Sequence, residues 1–229
     1  MKLTRVTITG ADDQVDQRSL FALIDSFPFL EVGILYSHDR LGTARYPTDK
    51  WRESLLSHGR YEGHRFALHL CGQAARDAMA GDADELPRIW TGWRVQLNGF
   101  SRFRLPGLKL AKALPGEGFV LQCNTAEALN EALTLSCRYP NVSALYDVSG
   151  GAGRYLPEAW PVAPGRLRLG YAGGLNEFNI EEALRILTSL PGGDFWIDLE
   201  TGARNARDEF DLAKARRVLE LAKPFVEAA

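Results

Sequence analysis

The sequence predicts a single (β/α)₈ barrel over residues 1–229. Three observations lead there. Eight short apolar or β-branched runs occur almost from end to end, seven of them followed by a helix-periodic stretch. The glycine-rich turns come late, at Gly173-Gly174 and Gly202, behind the last two strands. A barrel places anion-binding turns there, whereas an open doubly wound sheet, the runner-up, carries its glycine fingerprint after the first strand. Finally, the 229 residues are close to the ~250 typical of such barrels, and no stretch reads as a linker.

The elements follow in order. Arg5-Val6-Thr7-Ile8-Thr9 is short and β-branched, a first strand. From Asp16 to Ser26 the spacing turns helical, with Leu20, Leu23, Ile24 and Phe27 on one face. Leu30 to Tyr36 is the second strand; Thr48 to His58 is the second helix, with Thr48 as N-cap. Arg65 to Leu70 and Gln73 to Ala80 form the third pair. Arg94 to Leu97 is the fourth strand, with a short helix at Leu108 to Leu114. Phe119 to Cys123 and Thr125 to Cys137 form the fifth pair, with Asn124 expected to cap the helix. Val142 to Asp147 is the sixth strand, followed by a glycine- and proline-rich connection. Arg166 to Gly170 is the seventh strand, with a helix from Glu177 to Ser189. Asp194 to Leu199 is the eighth, and Asp211 to Ala222 is the closing helix.

Composition excludes several classes. Hydrophobic residues make up 45% and charged residues 24%, as in ordinary globular domains. A net charge of -2 gives no electrostatic case for nucleic acid. No window of eighteen apolar residues reads as a membrane span, and residues 1–11 lack a signal-peptide core. Three cysteines, Cys71, Cys123 and Cys137, without C-x-x-C spacing fit a reducing, cytoplasmic setting. Trp51, Trp90, Trp93 and Trp160 are expected in the helical shell, and the chain is expected to be a monomer or a homodimer.

The chemistry of a barrel sits where strands end. Thr9, Tyr36, Ser37, His69, Cys71, Gln96, Asn98, Gln122, Asn124, Asp147, Gly173, Asp198 and Glu200 fall at such positions. Polar groups are costly to bury without partners, so this ring reads as a ligand site. A glycine pair between strand and helix exposes backbone N–H groups, and the helix behind adds about half a positive charge. That makes Gly173-Gly174 an anion site, most often for phosphate. Thr201 and Gly202 repeat the device. Arg40, Arg45 and Arg154 lie in mouth loops as candidate anion clamps. All six lysines, Lys2, Lys50, Lys109, Lys112, Lys214 and Lys223, fall on a terminus or on helices, which argues against a Schiff-base enzyme. No histidine pair has zinc-ligand spacing. Asp147, Asp198 and Glu200 offer oxygens for Mg²⁺, although Asp198 also reads as a buried acceptor. No cofactor is expected.

These motifs together resemble those of phosphoribosylanthranilate isomerase, a barrel of the ribulose-phosphate-binding group. Tyr171-Ala172-Gly173-Gly174-Leu175-Asn176 is similar to the family's A-G-G-L-N turn. The segment from Ile197 to Arg204 resembles V-D-x-S-S-G-V-E. That from Asp147 to Arg154, with Gly150 and Gly151, resembles the sixth-strand aspartate and its G-G-x-G-K loop. Val95-Gln96-Leu97-Asn98-Gly99 is similar to V-Q-L-H-G, and the stretch from Val32 to Ser37 matches more loosely.

The resemblance implies that Asp147 is a general acid and that Gly150, Gly151, Gly173, Gly174, Thr201 and Gly202 hold a phosphorylated small-molecule ligand. Arg204, Arg40, Arg154, Gln96, Asn98 and Gln122 are expected to support it. Thr9 stands where the family carries its general-base cysteine. That leaves His69, Glu200 and Cys71, in that order, as candidates for the base. Glu200 replaces a serine of the phosphate turn, so a cation, Arg204 or another, must offset its charge. The expectation is an isomerase- or lyase-type enzyme; the alternative is a non-catalytic phosphometabolite-binding or sensing barrel.

Overall fold

The computed structural model describes residues 1–61, 63–81, 94–99 and 118–227. Eight parallel strands close into a barrel in sequence order: β1 (Lys2–Thr9), β2 (Leu30–Tyr36), β3 (Phe66–Leu70), β4 (Arg94–Leu97), β5 (Phe119–Cys123), β6 (Val142–Asp147), β7 (Leu169–Ala172) and β8 (Asp194–Leu199), with β8 pairing back onto β1. The helices described are α1 (Gln17–Ser26), α2 (Asp49–Tyr61), α3 (Gly72–Ala80), α4 (Ala126–Arg138), α5 (Ile180–Ser189) and α6 (Leu212–Glu227). This is a (β/α)₈ barrel. The short helix expected at Leu108–Leu114, and Trp90 and Trp93, lie outside the described residues. No described helix is long and apolar enough to cross a membrane.

Each side of the strands has its own chemistry, because successive residues point to opposite faces. The outward face is apolar: Val6, Ile8, Val32, Ile34, Phe66, Leu68, Phe195 and Ile197 are buried against the helices. Helix α1 meets them with Leu20, Leu23 and Ile24. Its N-cap is Asp16, whose carboxylate accepts from Ser19 N. Thr48 accepts from Trp51 N at the start of α2. Trp51 is half-buried on the shell, and Trp160 is buried there with its indole N–H donating to Ala172 O.

The inward face is largely polar and forms two levels. At the N-terminal end Glu31 is fully enclosed and takes hydrogen bonds from Arg5, Arg94 and Thr7. The Arg94 guanidinium lies 4.5 Å over the Trp196 ring, and Trp196 with Val120, Leu145 and Ala172 fills the middle. Above them sit Thr9, His69, Gln96 and Asp198, all buried. Gly33 makes room for this level, since a Cβ there would overlap the Thr9 hydroxyl and crowd His69.

Several boundaries differ from the sequence expectation. Asn124 does not cap α4; Thr125 does, accepting from Ala128 N. Strand β7 begins at Leu169, three residues later than expected, because Leu167 N bonds back to Pro164 O and the chain is still turning there. Helix α5 begins at Ile180 instead of Glu177. Asn176 and Asn179 build a turn of their own first: Asn179 Oδ1 accepts from Asn176 N, and Asn179 Nδ2 donates to Gly174 O. The last helix continues through Pro224 to Glu227, beyond the expected end at Ala222.

Candidate functional site

The C-terminal ends of the strands surround a cavity of about 340 Å³. One wall is made of the loops after β6, β7 and β8. Gly174 adopts φ 66°, and a side chain there would overlap the backbone of Arg154 and Tyr155. A Cβ on Gly202 would overlap the carbonyl oxygen of Leu175 and press on Asn176. The turn after β8 therefore rests on the turn after β7, an approach that Gly202 allows, while Gly174 lets the turn after β7 pack on the β6 loop. Gly150, Gly151 and Gly153 of the β6 loop line the same wall. Gly173 and Gly174 of the β7 turn and Thr201 and Gly202 of the β8 turn line it too, and glycine-rich backbone of this kind can offer its amides to an oxyanion.

Opposite and beneath lie side chains from β1, β3, β4, β5, β6 and β8. Asp147 ends β6. Its Oδ2 accepts from Gln122 Nε2 at 3.0 Å, and its Oδ1 accepts from Ser149 N at 3.0 Å and Ser149 Oγ at 2.8 Å. Asp198, on β8, accepts from Thr9 Oγ1 at 2.9 Å. Burial dominates its environment and pushes its carboxyl up to about 7; the Thr9 bond opposes this and the nearby Glu200 charge adds to it. Of the three carboxyls that line the cavity, Asp147, Asp198 and Glu200, the two aspartates thus stand in different surroundings.

The remaining candidates separate into those the cavity gathers and those it does not. Thr9, His69, Gln96, Asn98, Gln122, Glu200, Thr201 and the glycines line it. His69 is a core residue: burial pushes it down to about 3, and its Nδ1 faces Gln96 Nε2 at 3.2 Å. A neutral ring of that kind is a poor base at neutral pH. Cys71 does not line the cavity. Burial raises its thiol above the ordinary range, although hydrogen bonds from Tyr46 and Asn98 work the other way, so it carries none of the marks of a nucleophilic thiolate.

Arg204 is turned away from the cavity and is 3% exposed. It donates to Gly10 O at 2.6 Å and reaches Asp12 and Asp208. It ties the β8 loop to the β1 loop instead of meeting a ligand. Arg40 is exposed near the Tyr46 ring, and Arg154 is exposed on the β6 loop; neither lines the cavity.

The cation that offsets Glu200 is Arg45. Its Nη1 lies 2.5 Å from Glu200 Oε1, and it pairs with Asp208 as well. Those bonds, Asp208 first, hold the guanidinium firmly charged. Arg45, an expected anion clamp, lines the cavity, as does Asn124 of the strand-end ring; Arg76 and Ser149 line it as well and were not expected there. Ser149 had a legible signal, two residues beyond an aspartate in a glycine-rich turn. Arg45 had only its place in a mouth loop. Among the described residues no group of three or more His, Cys, Asp or Glu side chains is arranged to hold a metal ion.

No family model and no curated protein matches the chain. Solved structures do. Phosphoribosyl anthranilate isomerase from Thermotoga maritima is 17% identical, with 96% of this chain and 99% of that chain covered and a TM-score of 0.66. The same enzyme from Thermus thermophilus is 17% identical, with 96% and 98% covered and a TM-score of 0.62. Thiamine phosphate pyrophosphorylase from Pyrococcus furiosus is 16% identical, with 99% and 96% covered and a TM-score of 0.55. The barrel is phosphoribosylanthranilate isomerase-like in its fold.

Proposed function

We propose that this chain is an isomerase- or lyase-type enzyme acting on a phosphorylated, sugar-like small molecule at the barrel mouth. The observation that carries the reading is the contact between the two glycine bends. Gly202 packs directly on the turn after β7, and Gly174 and Gly202 both line the cavity, which supports a shared anion seat for the two turns. Beside that wall stand Asp147 and Asp198, the two carboxyls a proton transfer needs. The similar structures include phosphoribosyl anthranilate isomerase and thiamine phosphate pyrophosphorylase, named for phosphorylated compounds; the proposal extends that chemistry to this chain. Phosphate would sit against Gly173, Gly174, Thr201 and Gly202, with the Gly150-Gly151 loop alongside.

The test is a thermal-shift and turnover screen with inorganic phosphate, phosphorylated sugars and aromatic amine conjugates. A ligand that binds only the native state raises stability by mass action, about 2.7 kcal/mol at a hundred-fold excess over Kd. The expected outcome is a shift with phosphosugars that exceeds the shift with inorganic phosphate, together with isomerisation of at least one of them. Stabilisation by carboxylates but by no phosphate ester would contradict the reading. Tight binding of a phosphosugar without turnover across the panel would favour a sensor. The narrower activity, isomerisation of phosphoribosylanthranilate, is checked by complementing a tryptophan auxotroph that lacks that step.

A further inference from the structure

We propose that Asp147 is the proton acceptor of the reaction and Asp198 the proton donor, the reverse of the role that the family resemblance implies for Asp147. The inference rests on the isomerase reading above and assigns its two carboxyls from their hydrogen-bond polarity.

Both oxygens of Asp147 meet a donor whose direction is set elsewhere. Gln122 Oε1 accepts from Gly99 N at 3.0 Å, which turns its Nε2 toward Asp147 Oδ2. The backbone N–H of Ser149 donates to Oδ1. Ser149 Oγ, which accepts from Gly153 N at 2.9 Å, keeps its hydrogen to donate to the same oxygen. Two fixed donors, one on each oxygen, and a hydroxyl able to add a third complement a carboxylate, which only accepts.

Asp198 is held differently. Gln96 Nε2 stands 3.5 Å from its Oδ2, but the same amide has Asn98 Oδ1 at 3.0 Å and His69 Nδ1 at 3.2 Å. An amide NH₂ has two hydrogens: Asn98 Oδ1 takes one, and the other has a closer acceptor in His69 Nδ1 when the neutral ring carries its proton on Nε2. That leaves Thr9, whose hydroxyl can accept from a protonated carboxyl as readily as it donates to an ionised one. The charged and titratable groups around Asp198 are Glu31 on β2, His69 on β3, Arg94 on β4 and Glu200 at the end of its own strand. Two of these are carboxylates that oppose a third negative charge. The rise of Asp198 to about 7 fits a group that still carries a proton near neutrality.

The step balances without an oxidant or a metal. With a sugar phosphate whose carbonyl adjoins an H–C–OH carbon, the Asp147 carboxylate bonds to the carbon-bound proton. The C–H pair becomes the C=C bond of an enediol. The carbonyl π pair moves to its oxygen, which takes the proton of Asp198. Asp147 then returns its proton to the neighbouring carbon, while ionised Asp198 takes the proton from the other hydroxyl. Both side chains end as they began, and the carbonyl has moved by one carbon.

The roles are read by ¹³C NMR titration of aspartate carboxyls in the full chain, with millimolar inorganic phosphate as the probe in the cavity. Resonances are assigned with Asp147→Asn and Asp198→Asn. The expected result is an Asp198 resonance with a midpoint near neutral pH. An Asp198 resonance already at its ionised position at neutral pH would overturn the assignment. If an asparagine variant does not fold, Thr9→Val shifts the Asp198 resonance alone and Ser149→Ala the Asp147 resonance alone. The titration needs no substrate, so its failure is distinct from failure of the phosphosugar screen.

Discussion

Asp147→Asn is expected to remove turnover while the protein still binds phosphate. Deleting a positioned acid–base group costs roughly 10²–10⁴-fold in rate. The loss should appear in kcat, because the proposed phosphate seat of Gly174, Thr201 and Gly202 is untouched. Asparagine keeps the shape but presents one NH₂ to neighbours that already donate, Gln122 and Ser149. That mismatch costs about 1–3 kcal/mol of stability, which a stable barrel tolerates. Steady-state kinetics and phosphate-dependent thermal shift on one preparation check both halves. Undiminished turnover in this variant would remove Asp147 from the chemistry.

Glu31→Ala should be strongly destabilising. Glu31 is enclosed at the N-terminal end of the barrel with Arg5 and Arg94 against it. Removing the carboxylate leaves two guanidiniums facing each other in a confined space, one of them over the Trp196 ring. Breaking a buried ion pair from one side costs about 3–5 kcal/mol. The lower end applies here, because Arg5 retains 27% of its side-chain exposure. The pH dependence has a definite sign. Burial opposes the Glu31 charge most strongly, yet Arg94, Arg5 and their hydrogen bonds overcome it and hold the carboxyl below the usual range. A depressed carboxylate contributes fully above its unfolded value, and the contribution is lost as pH falls through the folded one. Urea unfolding should therefore show wild type losing stability in acid while Glu31→Ala, already weakened at neutral pH, loses less. An unchanged midpoint at neutral pH would contradict this.

The strands and the last two turns were legible because their signals are local. β-branched runs such as Val6-Thr7-Ile8 and the Gly173-Gly174 pair carry their own conformational preference. Boundaries were less legible where side chains build structure of their own: Asn176 and Asn179 delay α5 by three residues, and a turn at Pro164 delays β7. The site was legible as a ring of polar strand ends but not as a set of partnerships. Nothing local in Ile197-Asp198-Leu199 says that Asp198 will meet Thr9, 189 positions earlier. Arg204 follows the turn directly and was the natural partner for Glu200, yet the fold sends it toward Gly10 and brings Arg45 across from the β2 loop. Trp196 and Arg94 read as ordinary strand residues; only closure of the barrel stacks them inside it.

The central claim is that the paired bends after β7 and β8 hold a phosphoryl group. Crystals soaked in inorganic phosphate test it most directly. The account predicts phosphate within hydrogen-bonding distance of the Gly174, Thr201 and Gly202 amides, and its loss in Gly202→Val, where the added side chain must collide with Leu175 O. Phosphate bound elsewhere, or bound equally well by that variant, would contradict it.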